Sequence, residues 1–175
     1  MNGPDHRGAD PDDPSPDAPI PTPDSSSTTS ELIEARPEQV FAVLVDPTTY
    51  PRWLVGAQRI RSVDEHWPEV GSTFRHTIGF GPVRVAGSTS VRRCREPEEL
   101  VLAAGMGPLG EASVRFELEP APEGTLVRLE EEPARGPTRG AWLLARPLVM
   151  LGLWGRNAAS LDALSRIVRG RREGR

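Results

Sequence analysis

Lysine is absent from this chain of 175 residues, and cysteine occurs once, as Cys94. All 21 basic residues are arginine, a bias that points to a GC-rich genome more than to a mechanism. A lone cysteine excludes an internal disulfide and is compatible with a reducing compartment. No apolar run of the length of a signal-peptide core lies near the start, so no secretory leader is expected and the expected location is cytoplasmic. The longest apolar run, Ala141–Trp154, holds 14 residues with Arg146 and Pro147 inside it. That is too short and too interrupted to span a bilayer, although peripheral membrane contact is left open. Metal-ligand spacing, a phosphate loop and a nucleophile motif are all missing. The three histidines, His6, His66 and His76, lie far apart, and Gly79-Phe80-Gly81 has too few glycines for a nucleotide loop. No cofactor and no metal are therefore expected, and no catalytic residue can be named.

Hydrophobic residues make up 37% of the chain, and the deficit sits at the N-terminus. Residues 1–30 hold six Asp against one Arg, a charge of −5, while residues 31–175 hold 19 acidic residues against 20 Arg, a charge of +1. A near-neutral remainder argues against a dedicated nucleic-acid binder. Seven of the first 24 residues are proline, and Ile20 is the one branched aliphatic residue among them. Such a segment buries too little apolar surface to offset its ordering entropy, so residues 1–27 are expected to form a disordered tail. The expected domain covers residues 28–170, followed by an Arg-rich end at 171–175.

What is present is mostly short strands. Thr28–Glu34 reads as a first strand, and Pro37 opens a helix to about Val45 with Val40, Phe41, Val43 and Leu44 on its apolar side. Asp46-Pro47 ends it. Arg36 is a poor cap for that helix. A second short helix is expected over Thr48–Trp53. Six strands follow, at Gly56–Glu65, Thr73–Gly79, Val83–Arg95, Glu99–Gly105, Glu111–Glu119 and Thr125–Glu132, punctuated by glycine and proline. Ala112, Val114, Phe116 and Leu118 alternate with Ser113, Arg115 and Glu117, which predicts an antiparallel sheet with one dry face.

The C-terminal stretch changes period. Leu148, Leu151, Trp154, Ala158, Leu161, Leu164 and Val168 recur at steps of three and four, the helical period. Arg156, Asp162, Arg166 and Arg169 fall on the other side, with Asp162 and Arg166 spaced to pair. Pro147 predicts a break, leaving a short helix over Thr138–Ala145 and a main helix to about Arg169. Leu148–Trp154 is apolar nearly all round, as in a helix that is enclosed or lines a cavity.

Phase also brings chemistry inward. His76 lies between Phe74 and Ile78 at spacing two, and Glu131 shares a face with Val127 and Leu129. A buried carboxylate needs a partner, which His76 or Arg93, in phase with Val91, would supply. Trp53, Trp67, Trp142 and Trp154 are candidates for core or for pocket lining. Arg166, Arg169, Arg171, Arg172 and Arg175 suit a helix C-terminus.

The segment Ala35-Arg-Pro-Glu-Gln-Val-Phe-Ala-Val-Leu-Val-Asp-Pro-Thr-Thr-Tyr-Pro-Arg-Trp53 resembles the opening of the SRPBCC superfamily, in its polyketide cyclase/dehydrase and lipid-transport subgroup. Arg156-Asn157-Ala-Ala-Ser-Leu161, followed by Leu164, resembles that subgroup's final helix. The resemblance implies an α+β helix-grip fold, START-like, in which a seven-stranded curved antiparallel sheet wraps the long C-terminal helix. It also implies a hydrophobic cavity between them. The residues it would place around a ligand are Ile60, Phe74, His76, Ile78, Val114, Phe116, Val127, Leu129 and Glu131 from the sheet, with Leu151, Trp154 and Ala158 from the helix. The expected partner is a hydrophobic small molecule, a lipid or a polyketide-like compound, carried without catalysis. A cyclase/dehydrase-like enzyme and a protein-interaction module stand as alternatives, and the oligomeric state is left open.

Overall fold

The computed structural model describes residues 27–80, 83–105, 111–135 and 155–171. The strands are β1 (Ser27–Ile33), β2 (Ala57–Val63), β3 (Thr73–Phe80), β4 (Val83–Arg95), β5 (Glu99–Gly105), β6 (Glu111–Ala121) and β7 (Gly124–Arg135). They form one antiparallel sheet in the order β1-β7-β6-β5-β4-β3-β2. Strands β2 to β7 are a meander, and β1 closes the row beside β7. The two edges of the sheet, β1 and β2, are therefore neighbours in sequence, joined by α1 (Pro37–Leu44), a 3-10 turn (Pro47–Thr49) and α2 (Tyr50–Trp53). The C-terminal helix α3, residues 155–171, completes a helix-grip fold.

Local rules account for these elements. Proline at the first position of α1 loses no hydrogen bond there. The poor cap Arg36 is compensated by Gln39, whose Oε1 accepts from the Arg36 backbone N–H at 3.1 Å. Asp46 stops α1 and caps the next turn, accepting from Thr48 N at 3.1 Å. Tyr50 donates its hydroxyl to Leu44 O at 2.8 Å, and Trp53 Nε1 donates to Thr49 Oγ1 at 2.9 Å. With their polar ends satisfied, both rings sink into the core. Tyr50 packs edge-on to Phe74 with ring centroids 5.0 Å apart, and Trp53 meets Phe116 at 6.0 Å. Trp67 joins the same cluster at 4.9 Å from Phe74, donating Nε1 to Val45 O.

The dry face of the sheet holds the core. Leu100 faces Phe116, Phe116 faces Leu129 and Leu118 faces Val127 across the strands, all buried. The opposite face is a lattice of charge. Glu99 is buried among arginines there, 2.6 Å from Arg115 and 3.5 Å from Arg93. The phase of Val91 predicts Arg93 inward. A bulge between Val91 and Arg93 slips the alternation by one residue and turns Arg93 to the outer face instead.

Helix α3 buries Asn157, Ser160, Leu161, Leu164, Ser165, Ile167 and Val168. That stripe runs through Asn157, one residue before the expected Ala158, which is half-buried. Ser160 Oγ accepts from Val55 N at 3.1 Å, tying α3 to the chain just beyond α2. At the other end Arg171 pairs with Asp46 at 2.7 Å. The expected Asp162–Arg166 pair forms at 3.0 Å on the exposed side. The Pro147 break, the Thr138–Ala145 helix and the apolar segment Leu148–Trp154 lie outside the described residues, as does Trp142.

Candidate functional site

Side-chain size falls steadily along one pair of strands. On the dry face of β5 and β6 the cross-strand partners are Leu100 with Phe116, then Leu102 with Val114, then Ala104 with Ala112. The first pair closes the core. The last pair, two methyl groups, cannot fill the space beneath α2 and the start of α3. Gly87 on β4 continues this thinning, because its β3 partner is His76. A Cβ on Gly87 would sit 2.9 Å from both His76 Nε2 and the Gly105 carbonyl, so the bare backbone leaves room for the imidazole.

The result is a hollow of about 70 Å³, room for roughly five water molecules. Its apolar wall comes from Tyr50, Trp53, Leu54, Val55 and Ala57 on one side, and from Ile78, Leu102, Ala104, Ala112, Val114, Phe116 and Leu129 on the sheet. Val55 is 45% exposed and also lines the hollow, so it marks the mouth. The polar groups in the wall are few: His76, Thr89, Glu131, Arg156 and Asn157.

Those groups are held from different elements. Glu131 stands on β7 opposite Val114 and is buried; Arg156, in the first turn of α3, donates an Nη2 hydrogen bond to its Oε2. The same Nη2 lies 3.3 Å from Asn157 Oδ1. Glu131 thus finds its partner on the helix, and neither His76 nor Arg93, the two expected partners, fills that role. Spacing puts Arg156 on the polar side of its helix, but at the first turn the side chain reaches back to the sheet. His76 is 4% exposed, and its Nδ1 has no hydrogen-bond partner. Burial pushes its pKa below the ordinary 6.5, which favours the neutral ring.

Of the residues expected around a ligand, His76, Ile78, Val114, Phe116, Leu129 and Glu131 line the hollow. Phe74 and Val127 are buried in the core, and Ile60 packs against that core half-buried; none of the three is in the wall. Ala158 is also outside the described wall. Leu151 and Trp154 lie outside the described residues. Sequence reasoning named Trp53 as a candidate for pocket lining but missed Tyr50 and the exit of α2, together with Thr89, Leu102, Ala104, Ala112, Arg156 and Asn157. The thinning from Leu100 to Ala104 and from Phe116 to Ala112 was visible, but its meaning depends on the register that sets the two series side by side. Among the described residues no cluster of three or more His, Cys, Asp or Glu could hold a metal. No helix among them is long and apolar enough to cross a membrane.

Comparison with known proteins agrees with this fold. A family model described as polyketide cyclase / dehydrase and lipid transport matches residues 25–168. No curated protein sequence matches the chain. Among solved structures, the di-domain ARO/CYC StfQ from the steffimycin biosynthetic pathway superposes with a TM-score of 0.69 at 13% identity, covering 85% of this chain and 52% of that one. A protein of unknown function from Staphylococcus aureus gives 0.68 at 12% identity over 85% and 95% of the two chains. A Thermus thermophilus protein gives 0.62 at 19% identity over 83% and 97%. At these identities the likeness is one of fold.

Proposed function

Because the chain belongs to the polyketide cyclase/dehydrase and lipid transport family, we propose that it binds and carries a hydrophobic small molecule in the hollow between the sheet and helices α2 and α3. The observation that carries this reading is the taper of β5 and β6, which end in the facing pair Ala104 and Ala112 where the core needs larger side chains to close. A packed interior rarely leaves such a space empty without a purpose. The wall is apolar apart from five residues, the composition expected of a small-molecule site. A volume of about 70 Å³ suits one ring or the end of an acyl chain, with the remainder of a longer lipid or polyketide-like molecule leaving past Val55. The enzyme alternative needs two polar groups within reach of one substrate atom. His76 on β3 and Glu131 on β7 have three strands between them, so no strand pairing brings the two together. Glu131 is moreover already engaged by Arg156. Both facts favour carriage.

The test fills the space. Ala112→Phe should abolish binding of the neutral dye N-phenylnaphthylamine while leaving stability within about 1 kcal/mol of wild type, because the ring enters existing void. Two results would overturn the reading. One is a wild-type protein that does not bind the dye. The other is a substitution that costs about 1–3 kcal/mol, as overpacking does, with dye binding unchanged. Solvent extraction of the purified protein followed by mass spectrometry should find an apolar compound carried along with it.

A further inference from the structure

Among the residues that line the hollow, two carry charge, Glu131 and Arg156, and they cancel each other as a buried pair. The Glu131 side chain is 9% exposed and the Arg156 side chain 23%. In the same wall, the His76 ring is buried and unmatched at Nδ1. A buried polar atom without a partner is costly, so native proteins retain few of them. Backbone room for this one is specifically left by Gly87. An apolar wall with a matched charge pair and one unmatched neutral polar ring has a definite preference. Resting on the carrier reading above, we infer that the hollow takes an uncharged, largely apolar molecule bearing a hydrogen-bonding oxygen, with His76 as its anchor, and that the Glu131–Arg156 pair rejects carboxylates.

The electrostatic half of the argument runs through net charge. With the charge of Arg156 already matched by Glu131, an incoming carboxylate adds an uncompensated negative charge to a site that already holds the Glu131 carboxylate and is largely shielded from water. Leaving such a charge unpaired is strongly unfavourable. A phenol, alcohol or ketone brings no net charge and offers the imidazole a donor or an acceptor. His76 suits either, since a neutral imidazole has one nitrogen of each kind. Burial, which lowers its pKa, keeps it in that form at neutral pH. A pure hydrocarbon fills the space but leaves the ring unmatched.

Three probes of nearly equal shape separate these cases at neutral pH by calorimetric titration: para-ethylphenol, para-ethyltoluene and the ionised para-ethylbenzoate. Wild type should bind the phenol about fivefold more tightly than the toluene, the value of one net hydrogen bond. The benzoate should bind at least about tenfold more weakly than the phenol. Glu131→Gln removes the competing carboxylate and leaves Arg156 as the sole charge, so the benzoate should then bind more tightly than the phenol. His76→Phe should make the phenol and the toluene equal. The wild-type series alone decides the matter if a variant fails to fold. A wild-type protein that binds the benzoate as well as the phenol, or the toluene as well as the phenol, overturns this inference while carriage stands. Dye binding without binding of any probe overturns it too. If neither the dye nor any probe binds, carriage itself fails and this inference falls with it.

Discussion

His76 is a titratable ring placed where water barely reaches it, and its protonation should be visible in the stability of the whole protein. Burial holds its folded-state pKa below the ordinary 6.5. As pH falls past that value the unfolded chain takes up the proton first, so folded-state stability declines until the lower folded pKa is passed. Above 6.5 the contribution is constant. Urea midpoints measured from about pH 7.5 to about pH 5.5 should therefore fall in wild type and fall less in His76→Phe. Parallel curves would show that His76 titrates alike in both states. The neighbouring glycine gives a second test at this scale. Gly87→Ala forces a shift of either the imidazole or the Gly105 carbonyl, both 2.9 Å from the new methyl. It should cost about 1–3 kcal/mol by chemical denaturation and should erase the preference for para-ethylphenol over para-ethyltoluene.

The elements are joined at points where one side chain serves two of them. Asp46 is the clearest case. It ends α1, caps the 3-10 turn through Thr48 and holds Arg171 at the far end of α3. Burial acts to raise its pKa, but the Thr48 hydrogen bonds and Arg171 outweigh that and hold the carboxyl below its ordinary 3.8. The stabilisation it supplies is present above that pH and fades as the solution is acidified below it. Asp46→Ala should cost about 1 kcal/mol, the usual value of a lost cap. It should also speed amide exchange in the last turn of α3, where Arg171 would lose its tether. Unchanged exchange at residues 167–171 would show that the apolar contacts of Ile167 and Val168 hold the helix end unaided.

For the molecule as a whole, the two sheet edges and the three helices share a single core, whose first member is Ile33 at the end of β1. The N-terminal 26 residues carry all six Asp of the acidic segment, along with seven prolines. Their composition offers no apolar surface to that core. Deleting residues 1–26 should leave the melting temperature unchanged within a few degrees while removing a charge of −5. A larger fall would mean that the segment docks on the domain. Ion exchange would report the change of charge, and the same protein, titrated with the dye, would show whether the tail takes part in binding.

Alternation of apolar and polar residues is a local property, and it located all seven strands to within a few residues at either end. The strands Val83–Arg95 and Glu99–Gly105 were legible with both ends in place. Pro37 and Asp46-Pro47 likewise bounded α1, because proline restricts the backbone whatever surrounds it. The candidate site was legible only in part. His76 and Glu131 were identified as inward-facing from phase alone, but phase says nothing about which strands or helices meet across the sheet. Arg93 went to the outer face because a bulge, invisible in the composition of β4, slipped the register by one. Arg156 turned inward because the first turn of α3 comes to rest over Glu131, a contact between residues 25 apart. The hollow itself exists because Ala104 is paired with Ala112 rather than with a larger neighbour. Periodicity determined which face most residues take; register and helix docking, set by contacts distant in the chain, decided where the space would be and which charges would meet in it.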